Sequence, residues 1–134
     1  MRKTHAALLL AASLLLTLPA QARDIEMLVS PPQPFIQAGE AALAQNRQRI
    51  IAAAQSLGWQ VTAQADDHLQ LSYDKQGKHQ VRLKVELNAQ TYQIHYVDSH
   101  NMNYSSTEDG ARIHPNYNRW IRNLQKRISD FAVL

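Results

Sequence analysis

Hydrophobic positions along the chain follow first a helical period, then a strand period, then a helical one again. From about Gly39 to Leu57, residues Leu43, Arg47, Ile50, Ile51, Ala54 and Leu57 recur at three- and four-residue spacings, which predicts a helix with one core-facing stripe. The alanine-rich composition favours helical backbone, and Gly58 suits the stop that follows. The period then changes to two. Trp59, Val61 and Ala63 alternate with Gln60, Thr62 and Gln64; next come Leu69, Leu71 and Tyr73, then Val81, Leu83, Val85 and Leu87, then Tyr92, Ile94 and Tyr96. These segments predict strands with one wet face. The links Ala65–Asp67, Asp74–Lys78 and Asn88–Gln90 are too short for parallel crossovers, which need roughly a dozen residues. The helical period returns near Pro115 and runs to about Phe131, with Tyr117, Trp120, Ile121, Leu124, Ile128 and Phe131 as its stripe. Proline fits a first helical turn, where its missing N–H costs little. The expected fold class is α+β: a four-stranded antiparallel meander covered on one face by two helices, in the order α-β-β-β-β-α, so that both stripes share one core.

Two stretches precede this pattern. Arg2 and Lys3 are followed by a nearly unbroken apolar run, Ala6 to Leu18, then Pro19 and Ala20-Gln21-Ala22. The run falls short of the roughly 20 apolar residues of a membrane-spanning helix, and the small-x-small ending is what a signal peptidase accepts. Residues 1–22 are therefore expected to be an export signal cleaved between Ala22 and Arg23, with the remainder soluble in a Gram-negative periplasm and carrying no integral membrane segment. Residues 23–36 contain Pro31, Pro32 and Pro34, which fix φ and restrict their predecessors. They are expected to form an extended arm docking on a single α+β domain spanning 37–134.

Composition narrows the function classes. The chain has no cysteine, which excludes disulfides, thiolate metal sites and cysteine nucleophiles. Of the 14 Lys and Arg, Arg2 and Lys3 fall in the expected signal, leaving 12 against 11 Asp and Glu. Nucleic-acid binding calls for a concentrated basic footprint, and none is expected. The widest basic grouping, Arg112, Arg119, Arg122, Lys126 and Arg127, fits either an anionic partner or a solvated helix flank with cations favourably placed toward the C-terminus.

The connection from Asp98 to Asn118 is dense in amides, hydroxyls and aromatic rings. It reads either as a loop that satisfies its own backbone or as a recognition surface, whose ligand-binding candidates are Ser99, His100, Asn101, Tyr104, Arg112, His114 and Asn118. Asp98, Ser99 and His100 hold the residue types of a serine hydrolase, but consecutive placement is no evidence for a relay. His95, His100 and His114 with Asp98 suggest a metal-assisted hydrolase as an alternative, although no motif of the HExxH kind is present. No catalytic residue, metal site or cofactor is assigned. Trp59, Tyr92, Tyr96, Tyr104, Tyr117 and Trp120 resemble a stacking platform, but periodicity assigns most of them to the core, and Trp120 is expected to organise the fold. The resulting functional expectation is a noncatalytic periplasmic binding or envelope-accessory protein, with an envelope protein, a peptide or a glycan as partner.

The segments TYQIHYVDSHNMNY and IHPNYNRWIRNLQKRI resemble an uncharacterised group of small exported proteins and lipoproteins of Gram-negative bacteria. The resemblance spans about residues 36–131 and is sharpest at Tyr92, Ile94, Tyr96, Ser99, Asn101, Tyr104, Ile113, His114, Tyr117, Asn118, Trp120, Ile121 and Leu124. It implies a compact envelope protein and carries no catalytic assignment. Several members have a lipidated cysteine after the signal, and this chain has none.

Overall fold

The structure, a computed structural model, describes residues 23–133; the expected export signal at 1–22 lies outside the described residues. The elements in chain order are β1 (Ile25–Glu26), β2 (Gln33–Pro34), α1 (Glu40–Ser56), β3 (Gln60–Gln64), β4 (His68–Lys75), β5 (His79–Leu87), β6 (Thr91–His100), β7 (Ser105–Thr107), β8 (Gly110–Ile113) and α2 (Pro115–Phe131). All strand pairs are antiparallel, and they form a five-stranded sheet of order β2-β6-β5-β4-β3 and a three-stranded sheet of order β1-β8-β7.

The α+β class with antiparallel strands is what the chain adopts. The simple four-stranded meander is not. A fifth strand comes from the proline-rich arm, where Gln33 and Pro34 pair with Tyr92 and Thr91. The second sheet joins Ile25–Glu26 of the arm to a hairpin inside the Asp98–Asn118 connection. These strands are two to four residues long, too short for side-chain alternation to declare them.

The two helices and one face of the larger sheet close a single core. Ile50, Ala53 and Ala54 of α1 and Tyr117, Ile121, Leu124 and Ile128 of α2 meet Leu69, Leu71, Val81, Leu83, Val85 and Ile94 of the sheet. Full burial of each aliphatic side chain of this kind contributes about 1.5–3 kcal/mol. Buried Asn46 donates to the Gln37 carbonyl at 2.7 Å, tying α1 to the chain before it.

Two local devices fix the edges of the core. The β5–β6 register shifts between Arg82 and Leu83: Leu83 lies opposite Tyr96, while Arg82 lies opposite Asp98, so Val97 is an extra residue in β6. Such a bulge reverses the alternation downstream. Asp98 and His100 are thereby placed on the wet face, and Ser99 opposite Val81 on the core side. The arm is held by Asn118, whose side chain is 5% exposed. Its Oδ1 accepts the Leu28 N–H at 2.8 Å, and its Nδ2 donates to the Glu26 carbonyl at 2.9 Å. Ser30 completes the seal, with its hydroxyl accepting from Gln125 and its carbonyl from Gln93.

A candidate ligand-binding cleft

The seven residues singled out in the connection do not meet at one place. Ser99 sits beside Tyr96, with the two hydroxyls 2.8 Å apart, and Tyr104 stacks on the same Tyr96 ring at 4.5 Å. His100 ends β6 on the wet face, in a depression it shares with Ser99 and with Ser72, Gln80, Arg82 and Asp98. Asn101 has a left-handed backbone, φ 57°. It donates to the Lys78 carbonyl at 2.7 Å and accepts at its own carbonyl from His79 Nδ1 at 2.8 Å. His114 caps α2, accepting the Asn116 N–H at Nδ1, and its ring lies 5.6 Å from that of His79. Arg112 donates to the Asp24 carbonyl, and Asn118 is the buried clamp on the arm. Most of these polar atoms are thus engaged in joining the second sheet, the arm and α2.

Nor do the proposed metal ligands converge. His95 and Asp98 stand on the wet face of β6, opposite Lys84 and Arg82, whereas His114 is at the start of α2. Among the described residues no group of three or more His, Cys, Asp or Glu is arranged to hold a metal ion. The carboxylates on this face are matched by cations. The Arg82 guanidinium holds the Asp98 carboxyl below its ordinary range, and Lys84, 2.7 Å from Glu86, does the same to that carboxyl, with His95 adding to it. His95 Nε2, 3.5 Å from Glu86 Oε2, makes no hydrogen bond.

A more ligand-like arrangement lies elsewhere, where the end of α1 and the start of β3 face the first half of α2. Leu57, Trp59, Tyr73, Lys75, Asn116, Arg119, Trp120 and Asn123 enclose a cleft of about 460 Å³. The chain has two tryptophans, and both line it. Trp59 is almost fully buried and anchors the wall; its ring lies 5.2 Å from Tyr73, which meets half-buried Trp120 edge to face at 4.9 Å and 70°. Beneath this wall Gly58 has φ 91°, and a Cβ there would stand 3.3 Å from Tyr73 Cε2, so only glycine lets the chain turn under that ring. The polar side is formed by the amides of Asn116 and Asn123 with the cations of Lys75 and Arg119, the last donating to Asn116 Oδ1. No carboxylate lines the cleft.

Trp59 belongs to the core, as its periodicity predicts, while Trp120 is only partly buried against it, and Arg119 comes from the basic group that fits either an anionic partner or a solvated flank. One signal for the cleft was present: Asn116, Arg119, Trp120, Asn123 and Arg127 recur at three- and four-residue steps, a second helical stripe beside the apolar one. No family model, curated protein or solved structure matches the chain. No helix among the described residues is long and apolar enough to cross a membrane.

Proposed function

We propose that the protein is a noncatalytic binding module of the Gram-negative cell envelope, and that its ligand occupies the cleft between Trp59, Tyr73 and Trp120. The observation that carries this reading is a pocket whose apolar wall is aromatic and whose remaining groups are amides and cations. Concave sites of this make-up bind ligands by ring contact and orient them with a few polar groups. The lining residues include no histidine, carboxylate or serine, which are the groups most often used as acid, base and nucleophile. Location in the periplasm rests on the positive start, apolar run and Ala20-Gln21-Ala22 of the sequence. The resemblance to small exported proteins and lipoproteins agrees with that location.

Because both tryptophans line the cleft, its occupancy has a direct reporter. Fractionated envelope extract added to isotope-labelled protein should shift the two indole N–H resonances in at least one fraction. The shift should saturate and should weaken in Arg119→Met. If no fraction moves either indole, or if the shifts are identical in the variant, the cleft is not the binding site.

A further inference from the structure

The cleft does not end at Asn123. A second depression of about 240 Å³, lined by Leu57, Asn123, Lys126, Arg127 and Asp130, shares Leu57 and Asn123 with it. The two form one groove along α2. Arg119, Asn123 and Arg127 stand at four-residue steps on the helix, one above another, so the groove's two arginines are separated by about 12 Å of helix.

We infer that the ligand is a linear acidic oligosaccharide bearing one carboxylate per charged ring, lying along this groove; the inference rests on the binding reading above. Charge is the first ground. On the wet face of the sheet Arg82 and Lys84 are each paired with an acid. In the groove the one acid, Asp130, is paired with Lys126 at 3.1 Å. Among the described residues Lys75, Arg119 and Arg127 have no carboxylate partner; Arg119 bonds Asn116, and Arg127 bonds the Ser56 hydroxyl at 2.9 Å. Arg119 and Arg127, eight residues apart on the helix, suit anions carried on separate rings. A single phosphate would bring about 1.5–2 charges to one point and leave one of these two arginines unmatched.

Shape and hydrogen bonding are the second ground. The edge-to-face pair of Tyr73 and Trp120 offers ring surface to the C–H face of a sugar. The two asparagine amides each bring donors and an acceptor, as alternating hydroxyls require. An acidic peptide is also recognised through arginines, but it brings no saccharide C–H face to the Tyr73–Trp120 pair, and hexaglutamate tests it directly. Single-stranded nucleic acid needs a continuous basic track under stacked bases, and the groove offers separated cations.

The test compares tetragalacturonate, uncharged chitotetraose, hexaglutamate and glucose 6-phosphate by indole shifts and tryptophan fluorescence. Tetragalacturonate should bind saturably and at least about tenfold more tightly than the other three. Lys75→Met with Arg119→Met should weaken it about tenfold or more. Arg127→Met should weaken the tetramer several-fold and leave monogalacturonate unchanged. Equal binding of chitotetraose, tighter binding of hexaglutamate or of the sugar phosphate, or indifference to the Arg119 change would overturn the inference. Should no saccharide bind while envelope extract still moves the indoles, the ligand class falls and the binding reading stands; if neither moves them, both fall.

Discussion

Asn118 offers the sharpest stability test, because one buried side chain does what a strand partner would normally do for the arm. In Asn118→Ala the Leu28 N–H loses its acceptor and the Glu26 carbonyl its donor. Leu28 is half-buried, so its amide is poorly placed to find water; leaving such a donor unmade costs about 1–3 kcal/mol. Glu26 is exposed, and water can replace the amide there, reducing that loss to about 0.5–1.5 kcal/mol. The sum, roughly 1.5–4.5 kcal/mol, is a large part of the 5–15 kcal/mol by which small domains are stable. Asn118→Asp should cost at least as much, since it sets a carboxylate oxygen against the Glu26 carbonyl and buries a charge. Urea unfolding should show a lowered midpoint with an unchanged slope, and the Leu28 amide should lose protection from hydrogen exchange. A loss below about 0.5 kcal/mol with that amide still protected would refute the clamp.

Further outcomes follow from other sites. Gly58→Ala forces a side chain into the left-handed region under Tyr73; it should cost about 1–2 kcal/mol and alter tryptophan emission, and unchanged emission would detach Gly58 from the cleft. His114→Ala removes the acceptor of the Asn116 N–H and should cost about 1 kcal/mol, most of it restored by His114→Asn, a residue that also caps helices well; equal stability of the two variants in thermal unfolding would remove the cap from the account. Burial pushes the Tyr92 hydroxyl up from 10.0 to about 12. Its neutral form therefore contributes stability fully present below pH 10 and lost as pH rises toward 12, so phenolate absorbance should lag in the folded protein. Asp98, held below its ordinary 3.8 by Arg82, contributes stability present above that pH and lost as pH falls through its lowered value. Arg82→Met should bring its titration, followed by carboxyl carbon resonances, back toward 3.8.

The long elements were legible because each repeats its signal. Ile50, Ala54 and Leu57 mark α1 within a residue or two of its ends, and Val81, Leu83, Val85 and Leu87 announce β5. The small sheet was not, because Ile25–Glu26 supplies two residues and the Ser105–Thr107 and Gly110–Ile113 hairpin is polar or small apart from Ile113. Its pairing is set by tertiary contacts that no local pattern encodes. Asp98 and His100 read as the start of a loop because they break the apolar alternation; the inserted Val97 turns them to water while β6 continues to His100. Trp120 lies on the apolar stripe of α2, and the stripe does not reveal that its outer edge stays open beside Tyr73. For the candidate site, residue types were visible, but their grouping depends on how α2 lies against β4.

The clamp on the arm also bears on the order in which the molecule assembles. Its polar partners lie 63 to 95 positions away in the chain, whereas β3 to β6 pair with immediate neighbours through short links. Loop closure costs entropy before distant contacts repay it. The arm therefore belongs to the late, downhill side of the folding barrier. Its anchoring residues should act as a latch on lifetime: weakening them should steepen escape from the native state and leave the rate of reaching it almost untouched. In a chevron plot the Asn118→Ala effect should fall on the unfolding limb, so that this N-terminal strap governs how long the fold persists.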